Sequence, residues 1–289
     1  DIEMRTFPAA EGTVSKGFGD YIMAPDITTL RRVNWMPRTA MVICDLIDPA
    51  THGPVPFAPR NVLRAQVERA RAMGFEPIMA TELEFYLFEE SYKQMFDAGY
   101  PVPTPINRFR ADYGLTASAH SETLMQAIRH ELASSGLPVI CSKAEACAGQ
   151  EELNLLHGPA LLTADRHAIV KQGVKEVAQR HDASACFMAK YRSGTAGSSG
   201  HIHQSLLQNG QNAFRDGGGP FGMSEVMRHY LAGQLAFARE ITACLAPFEN
   251  SYKRFRQDSF APTRLGYGID NRTASFRICG GGTANIRIE

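Results

Sequence analysis

Residues 81–88, Thr-Glu-Leu-Glu-Phe-Tyr-Leu-Phe, constrain the fold more than any other part of this 289-residue chain. They lie in a run from residue 76 to residue 88 that is typical of one long strand. Side chains two apart share a face of a strand, so Glu82 and Glu84 lie side by side and apolar residues take the other face. A hard cation with oxygen ligands would relieve their mutual repulsion. A solvated strand face is the alternative interpretation.

Composition excludes several classes of protein. Thirty Lys and Arg balance thirty Asp and Glu, so the formal net charge is zero, which argues against a nucleic-acid partner. No apolar run approaches the ~20 residues that span a bilayer, and the first residues do not resemble a signal peptide, so we expect no membrane partner. The six cysteines form no CxxC pair. This favours a soluble cytoplasmic protein with buried thiols over a zinc knuckle or a disulfide framework.

Helix and strand patterns alternate along the chain. Apolar spacing, capping residues and Pro or Gly boundaries predict helices at residues 59–72, 121–134, 163–180 and 224–245. Strands are predicted at residues 39–45, 76–88, 138–143, 152–156, 183–189 and 200–207, with strand-like alternation from 264 to 289. Residues 1–36 are expected to form irregular strands and turns, and residues 96–118 are expected to be loop-like. The pattern indicates an α+β fold, or an α/β fold with antiparallel strands.

Other polar clusters could also carry chemistry. Glu145 and Glu152 bracket a Gly-Gln pair, so they could converge from neighbouring strands, although ordinary surface acids are the alternative. His201 and His203 follow a glycine-rich turn and could be metal ligands, hydrogen-bonded core histidines, or the His-x-His pair of an amidohydrolase barrel. The last third of the chain is rich in arginines, which bind phosphate or carboxylate bidentately unless they are scattered surface charges. They are Arg254, Arg256, Arg264, Arg272, Arg277 and Arg287.

Phosphate-binding sequence motifs are missing from the chain. There is no GxxxxGK[ST] motif, no GxGxxG after a strand, and no GxSxG elbow. Metals and arginines would therefore have to hold the phosphates of any bound nucleotide. The charges are also sorted along the chain, with the candidate glutamates mostly early and the arginines late. This order predicts two opposed clusters that face each other across a site.

Four segments, taken in order, resemble the glutamine synthetase family. They are residues 82–86 (Glu-Leu-Glu-Phe-Tyr), residues 145–152, residues 197–205, and the stretch from Asn250 to Glu289 that contains Asn271-Arg272 and Arg287-Ile-Glu289. The resemblance implies an antiparallel strand funnel with surrounding helices at residues 56–289, truncated at its C-terminus. Residues 1–55 would be part of a small β-grasp N-terminal domain.

The resemblance implies an ATP-dependent carbon–nitrogen ligase that uses Mg²⁺ or Mn²⁺. In this family the γ-carboxylate of glutamate attacks ATP to give γ-glutamyl phosphate, and ammonia or an amine then displaces phosphate. The implied metal ligands are Glu84, Glu145 and Glu152 for one ion, and Glu82, His201 and Glu289 for the other. Glutamate-binding positions match Gly197 and Arg254, nucleotide-side positions match His203 and Ser205, and phosphate-binding positions match Arg272, Arg277 and Arg287. The family also implies homo-oligomers, as hexameric or dodecameric rings.

Two positions depart from the family pattern. Members that use ammonia carry a glutamate just before the Ala-Pro of a flap, whereas this chain has Phe260 there. Phenylalanine cannot accept the proton of ammonium, but it can pack on an alkyl amine or make a weaker cation–π contact. Family members usually carry an asparagine just before the glycine of the glutamate-binding loop, Gly197 here, whereas this chain has Ala196 at that position. The sequence therefore predicts a γ-glutamyl ligase for an organic amine or polyamine.

Three alternatives stay open at this stage. Glutamine synthetase proper, using ammonia, is the nearest. A non-catalytic member of the fold would be expected to lose metal ligands, and all six candidate ligands are present. A zinc amidohydrolase would need further histidines and an aspartate at other strand ends, and the remaining histidines do not show such placement.

Overall fold

A computed structural model describes residues 19–257 and 259–289 of the chain. The strands are β1 (Ile22–Arg32), β2 (Ala40–Ile47), β3 (Glu76–Phe88), β4 (Val139–Ala144), β5 (Gln150–Leu155), β6 (Gly158–Pro159), β7 (Ser184–Cys186), β8 (Gly200–Gln208), β9 (Gln211–Asn212), β10 (Tyr267–Ile269), β11 (Phe276–Cys279) and β12 (Arg287–Ile288). The helices are α1 (Pro59–Ala72), α2 (Tyr92–Asp97), α3 (Leu115–Ser118), α4 (Glu122–Ser134), α5 (Ala160–Arg180), α6 (Glu225–Ala236), α7 (Ala238–Leu245) and α8 (Glu249–Tyr252). The mixture confirms the predicted α+β class.

A large mixed sheet, mostly antiparallel, is organised around β3. Its main path runs β10-β11-β12-β8-β3-β5-β4, and only the β10–β11 pair of the pairs assigned in the described part of the chain is parallel. Strand β3 pairs with β8 along one edge and with β5 along the other, and the short β6 and β7 extend those edges. Strands β8 and β5 occupy the two edges of β3, so its side chains project from the two faces of the sheet, and one face carries the polar residues.

The other face of β3 belongs to the main hydrophobic core. Leu83, Phe85 and Leu87 are buried there against apolar residues of α4 and α5, such as Ile128 and Val174. Burying a side chain of this size contributes about 2 kcal/mol, so the apolar face fixes which way the strand is turned. The carboxylates of the alternate positions must then point into the opposite side of the sheet.

A second core lies beneath the C-terminal strands. Phe214, Met227, Ile278, Ile286 and Ile288 are fully buried and pack together between α6 and the β8–β12–β11 edge. This core fixes β11 and β12 beside β8. As a result, the residues that alternate with Ile278 and Ile288 are carried toward the polar face of the sheet.

Some predicted boundaries are confirmed and others are wrong. Helix α1 and strand β3 have the predicted bounds. Helix α5 begins at Ala160 rather than Thr163, because Pro159 occupies its N-cap and the Thr163 hydroxyl bonds inward to the carbonyl oxygens of Met79 and Gly158. The predicted helix 224–245 is divided into α6 and α7 at Phe237, whose backbone (φ −108°, ψ 10°) departs from helical values.

One region expected to be a loop contains regular structure. Residues 96–118 include the end of α2 and the short α3, whereas residues 19–36, where irregular strands and turns are predicted, contain all of β1. Residues 1–18 of the predicted irregular stretch lie outside the described residues. The six cysteines are all free thiols, but only Cys279 is buried, and the expectation of buried thiols is wrong for the exposed Cys141 and Cys244. No helix in the described residues is long and apolar enough to cross a membrane.

Strands β1 and β2 form a separate antiparallel ribbon that an arginine joins to the helices. Arg60 of α1 contacts Asp26 of β1 at 2.7 Å, Asp45 of β2 at 2.5 Å and Asp165 of α5 at 2.9 Å. Hydrogen bonds from Thr28 and Arg60 hold the pKa of Asp26 at about 2. One guanidinium therefore neutralises three carboxylates that would otherwise repel one another.

Replacing Arg60 with Met should destabilise the fold, because it leaves three clustered carboxylates without their central cation. We expect a loss of about 2–3 kcal/mol in the free energy of unfolding at pH 7, measured by urea denaturation. Asp26 has a lowered pKa, so its share is present above about pH 4 and is lost as the pH falls toward about 2. The effect of the substitution should shrink accordingly in acid.

Arg64→Met is the matched control, since Arg64 bonds Asp45 at 2.6 Å from a more exposed position. It should cost less than 1 kcal/mol, as exposed ion pairs do. Equal losses for the two variants would contradict the central role of Arg60.

Candidate active site

The pairing of β3 with its neighbours assembles the first part of the site. Glu82 lies opposite His201 in the β3–β8 ladder, and Glu84 lies opposite Glu152 in the β3–β5 ladder. Directly opposed residues of antiparallel strands point to the same face with their side chains in reach of each other. The sheet therefore brings together residues that are up to about 120 positions apart in sequence. Ser205 follows on the same face of β8, two residues beyond His203.

Glu84 is held as an anion by its surroundings. Its carboxylate accepts hydrogen bonds from the Ser199 backbone nitrogen at 2.9 Å and the Ser199 hydroxyl at 2.7 Å. Gln150 Nε2 approaches it at 3.4 Å and His201 Nε2 at 3.5 Å. Burial raises the pKa of Glu84, but the hydrogen bonds from His201 and Ser199 outweigh burial and leave its pKa below the usual value.

Glu82 pairs with His203 rather than with His201. His203 Nε2 lies 2.6 Å from a Glu82 oxygen, and Arg287 Nε donates to His203 Nδ1 at 3.1 Å. Burial raises the pKa of Glu82, but the hydrogen bond from His203 and the charge of His201 lower it by more, so the net pKa lies below the usual value. Because arginine can only donate, the Nδ1 atom of His203 carries the lone pair and the proton lies on Nε2.

Glu289 joins the two histidines to an arginine. Its Oε1 atom lies 3.2 Å from His201 Nδ1, and its Oε2 atom lies 3.2 Å from an Arg277 nitrogen. Burial lowers the pKa of His201, but the hydrogen bond to Glu84 and the charge of Glu289 raise it to a net value above normal. The His201 ring therefore lies between the carboxylates of Glu84 and Glu289, where it can keep a proton or lose it when a cation binds.

One predicted metal-ligand set converges, and the other is less closely gathered. Within residues 19–257 and 259–289, Glu82, His201 and Glu289 offer ligand atoms that lie within 4.8 Å of one another. The other predicted set, Glu84, Glu145 and Glu152, does not form such a group in the same part of the chain.

Glu145 and Glu152 interact with each other, and each also has another partner. Glu145 is turned toward Lys143 at 2.5 Å, whereas Glu152 accepts a hydrogen bond from Asn154 at 2.7 Å. Burial, with smaller contributions from the nearby carboxylates, raises the pKa of Glu152 to about 7. A carboxyl group in this position gains from a bound cation, so the donor set fits a divalent metal ion.

Gly197 allows an arginine to approach the carboxylate cluster. A Cβ atom at residue 197 would lie 2.7 Å from Arg254 Cγ and 2.8 Å from the Ala189 carbonyl oxygen. Burial lowers the pKa of Arg254, and the charge of Glu84 partly offsets that effect. No side-chain ion pair or hydrogen bond of Arg254 occurs among the described residues. A half-buried guanidinium of this kind is suited to an anionic ligand.

The remaining predicted residues have different surroundings. Arg277 and Arg287 contact Glu289 and His203, so the arginines interleave with the carboxylate cluster rather than facing it as a separate group. Arg277 is also paired with Asp270. Arg272 is exposed, and Phe260 has 76% of its surface exposed. Flap residue 258 lies outside the described residues.

Sequence reasoning missed Ser199, Gln150 and Cys279. Ser199 and Gln150 each lie two positions from a predicted residue, and their hydrogen bonds to Glu84 depend on the β3–β8 and β3–β5 registers. Cys279 Sγ lies 3.1 Å from Glu289 Oε2. The alternation Phe-Arg-Ile-Cys could have placed Cys279 on the same face as Arg277, which is the only available signal.

Residues 56–289 match the glutamine synthetase catalytic domain. The chain belongs to the glutamine synthetase family. It is 43% identical to gamma-glutamylethanolamide synthetase GlnA4 of Streptomyces coelicolor over all of this chain and 62% of that protein. It is 35% identical to a glutamate–isopropylamine ligase of a Pseudomonas species, over 94% of this chain and 60% of the ligase.

A solved structure supports the same fold. The structure described as apo GmaS without ligand has a TM-score of 0.81 and 29% identity, covering 93% of this chain and 61% of that one. The chain spans about three fifths of the length of these relatives. The family and the α+β catalytic fold predicted from the sequence are therefore confirmed.

Binding of Mn²⁺ at this site should strengthen as the pH rises. The raised pKa of His201 means that the protonated ring is favoured without metal at acidic pH, and a cation must displace that proton. Affinity measured by calorimetry should therefore increase from pH 6 to pH 8, with proton release on binding. His201→Asn should lower the affinity at pH 8 by about tenfold or more and flatten its pH dependence.

His229→Asn is the control, because His229 is exposed on α6. It should leave both the affinity and its pH dependence unchanged. An identical pH profile in wild-type protein and His201→Asn would exclude His201 as the group that is displaced.

Proposed function

We propose that this chain is the catalytic part of an ATP-dependent ligase that forms a γ-glutamyl amide through γ-glutamyl phosphate, with an organic amine as acceptor. The family and the two ligases named above support this reaction class. The observation that carries the choice of acceptor is Phe260, an exposed aromatic ring at the flap position where ammonia-using members have a carboxylate. An aromatic ring favours the alkyl part of an amine over a bare ammonium ion.

The carboxylate cluster would hold the divalent cations. Glu82, His201 and Glu289 would bind one ion, and Glu84, Glu145 and Glu152 would bind a second after small side-chain movements. Bound Mg²⁺ or Mn²⁺ would neutralise the phosphate oxygens of ATP, which supplies the phosphoryl group. The fit rests on the converging ligand atoms of the first set and on the raised pKa of Glu152 in the second.

The arginines would hold the anionic substrates. Arg254, free of a protein partner in the described residues and packed against Gly197, would bind a carboxylate of glutamate. Arg272, Arg277 and Arg287 would bind phosphate oxygens and stabilise the charge that develops during phosphoryl transfer. His203 and Ser205 would lie on the nucleotide side, where Arg287 fixes the His203 ring.

The flap would present a less polar surface to the acceptor than the carboxylate that ammonia-using members have there. Phe260 leaves the flap position without a carboxylate. Ala196, which replaces a side-chain amide, lies next to Gly197 on the glutamate side, and its carbonyl oxygen accepts a hydrogen bond from Tyr86 at 2.8 Å. A neutral amine that arrives with its alkyl chain against Phe260 would attack the acyl phosphate, and the phosphate would leave.

Several properties of the whole protein belong to the same proposal. Residues 1–55 would form part of a small β-grasp domain, of which the β1–β2 ribbon is described, and residues 56–289 would form the catalytic domain. The protein would act in the cytoplasm as a homo-oligomer in hexameric or dodecameric rings. Neither a nucleic acid nor a membrane is required as a partner.

A panel of acceptors tests the proposal. With ATP, Mg²⁺ and glutamate, phosphate release should be faster with ethanolamine, isopropylamine or a polyamine than with ammonium. Phe260→Glu should shift kcat/KM toward ammonium by about tenfold, equivalent to about 1.4 kcal/mol, because it restores a charged proton acceptor.

Phe248→Glu is the matched control, as it adds the same charge at another exposed aromatic residue. It should leave the ratio of amine to ammonium unchanged. A wild-type preference for ammonium over every amine would identify glutamine synthetase proper instead. No phosphate release with any acceptor, in protein that binds metal, would identify a non-catalytic member.

Gly197→Ala should weaken glutamate use by displacing Arg254. The new Cβ atom would overlap both Arg254 and the Ala189 carbonyl, so the KM for glutamate should rise by about tenfold or more, the effect of losing a charge-assisted pair. Gly200→Ala is the control, because its nearest contact would be 3.9 Å, to the Glu82 carbonyl oxygen. Similar kinetics for the two variants would argue against the close approach of Arg254 to residue 197.

A further inference from the structure

Cys279 lies among charged residues of the site, although the proposed reaction does not use it. Its side chain is 4% exposed, and it pairs with Arg287 in the β11–β12 ladder. The Sγ atom lies 3.1 Å from Glu289 Oε2, which accepts its hydrogen bond. A thiol buried for packing alone is normally surrounded by apolar side chains, whereas this one faces a carboxylate.

Glu289 directs its two oxygens to different partners. Oε1 faces His201 at 3.2 Å, toward the group proposed to hold a hard cation. Oε2 faces Cys279 at 3.1 Å, an Arg277 nitrogen at 3.2 Å and His203 Nδ1 at 3.8 Å. The carboxylate can therefore serve two neighbouring binding positions, one for each oxygen.

His203 presents a lone pair on the Cys279 side. Its Nε2 atom lies 2.6 Å from a Glu82 oxygen, and its Nδ1 atom accepts a hydrogen bond from Arg287 Nε at 3.1 Å, so Nδ1 is the unprotonated nitrogen. A carboxylate behind the ring is the arrangement that orients a metal-binding histidine and increases its basicity. Nδ1 of His203, Sγ of Cys279 and an oxygen of Glu289 all lie within 4.8 Å of one another.

We propose that His203, Cys279 and Glu289 form a further cation site, distinct from the two above and selective for a thiophilic divalent metal, of which Zn²⁺ is the best match. Nitrogen, sulfur and oxygen donors together suit Zn²⁺, whereas Mg²⁺ takes oxygen ligands and gains little from sulfur. Three protein ligands leave a position for water. As the metal–sulfur bond forms, the thiol proton passes to solvent and Arg287 Nε releases His203 Nδ1.

Occupation of this site would disturb the neighbouring groups of the proposed ligase. Glu289 would be drawn toward the Cys279 side, and Arg277, now 3.2 Å from Glu289, would lose that partner. Zn²⁺ should therefore compete with the use of Glu289 by a hard cation. The site itself depends only on the three donors, so it can be tested without any ligase activity.

Cobalt absorbance tests the proposal directly. The metal-free 289-residue chain would be titrated with Co²⁺, which gives a near-ultraviolet charge-transfer band only when a thiolate is bound. We expect the band in the wild-type chain and its loss in Cys279→Ser and Cys279→Val. In competition with a chromophoric chelator, Cys279→Ser should weaken Zn²⁺ binding by about tenfold or more and Mn²⁺ binding by less than about threefold.

Cys244→Ser is the matched control, because Cys244 is an exposed thiol on α7. It should keep both the cobalt band and the Zn²⁺ affinity. The proposal is overturned if the wild-type chain gives no band, if the band survives in both Cys279 variants, or if Zn²⁺ and Mn²⁺ weaken equally in Cys279→Ser. None of these results depends on whether the chain ligates an amine, so they leave the proposed function to its own test.

Discussion

The antiparallel register between β3 and β8 is the constraint on which the rest of the structure depends. It sets Glu82 opposite His201 and Ala80 opposite His203, and the same strand sets Glu84 opposite Glu152 on its other edge. A slip of one residue would turn the carboxylates into the core and Leu83 and Phe85 toward the site. The apolar contacts of β3 with α4 and α5 therefore fix the polar geometry as well as the fold.

The chain has zero net charge, and its acidic and basic side chains are closely intermixed in the folded protein. Arg277 contacts Glu289, Arg287 contacts His203, and Arg60 pairs with three aspartates. The separation of acidic and basic residues along the sequence suggested two opposed clusters, but strands β11 and β12 return beside β8 and bring the arginines among the glutamates. Distance along the chain is a poor guide to distance across an antiparallel sheet, because neighbouring strands can be far apart in sequence.

The sequence predicted elements whose determinants are local. Strand β3 follows from the alternation of apolar residues, and α1 follows from Pro59 at its start and Gly74 after its end. The start of α5 was missed because the Thr163 hydroxyl serves β3 and β6 instead of capping the helix, which is a tertiary contact. Family resemblance supplied the candidate residues, and their arrangement in pairs came only from the structure. Cys279 could not have been linked to Glu289 and His203 without the β12–β8 pairing.

Glu84 and Glu152, which face each other across β3 and β5, differ in how the protein stabilises their charged forms. Glu84 is already stabilised as an anion by Ser199, and its pKa lies below normal, so the protein itself compensates its charge. Glu152 has a pKa raised to about 7 by burial, so ionising it in the folded chain at neutral pH costs free energy. A cation placed between them would remove that cost and would favour loss of the Glu152 proton. The face of the sheet thus combines one preformed ligand with one that becomes charged as metal binds, which couples occupation of the site to the stability of β5.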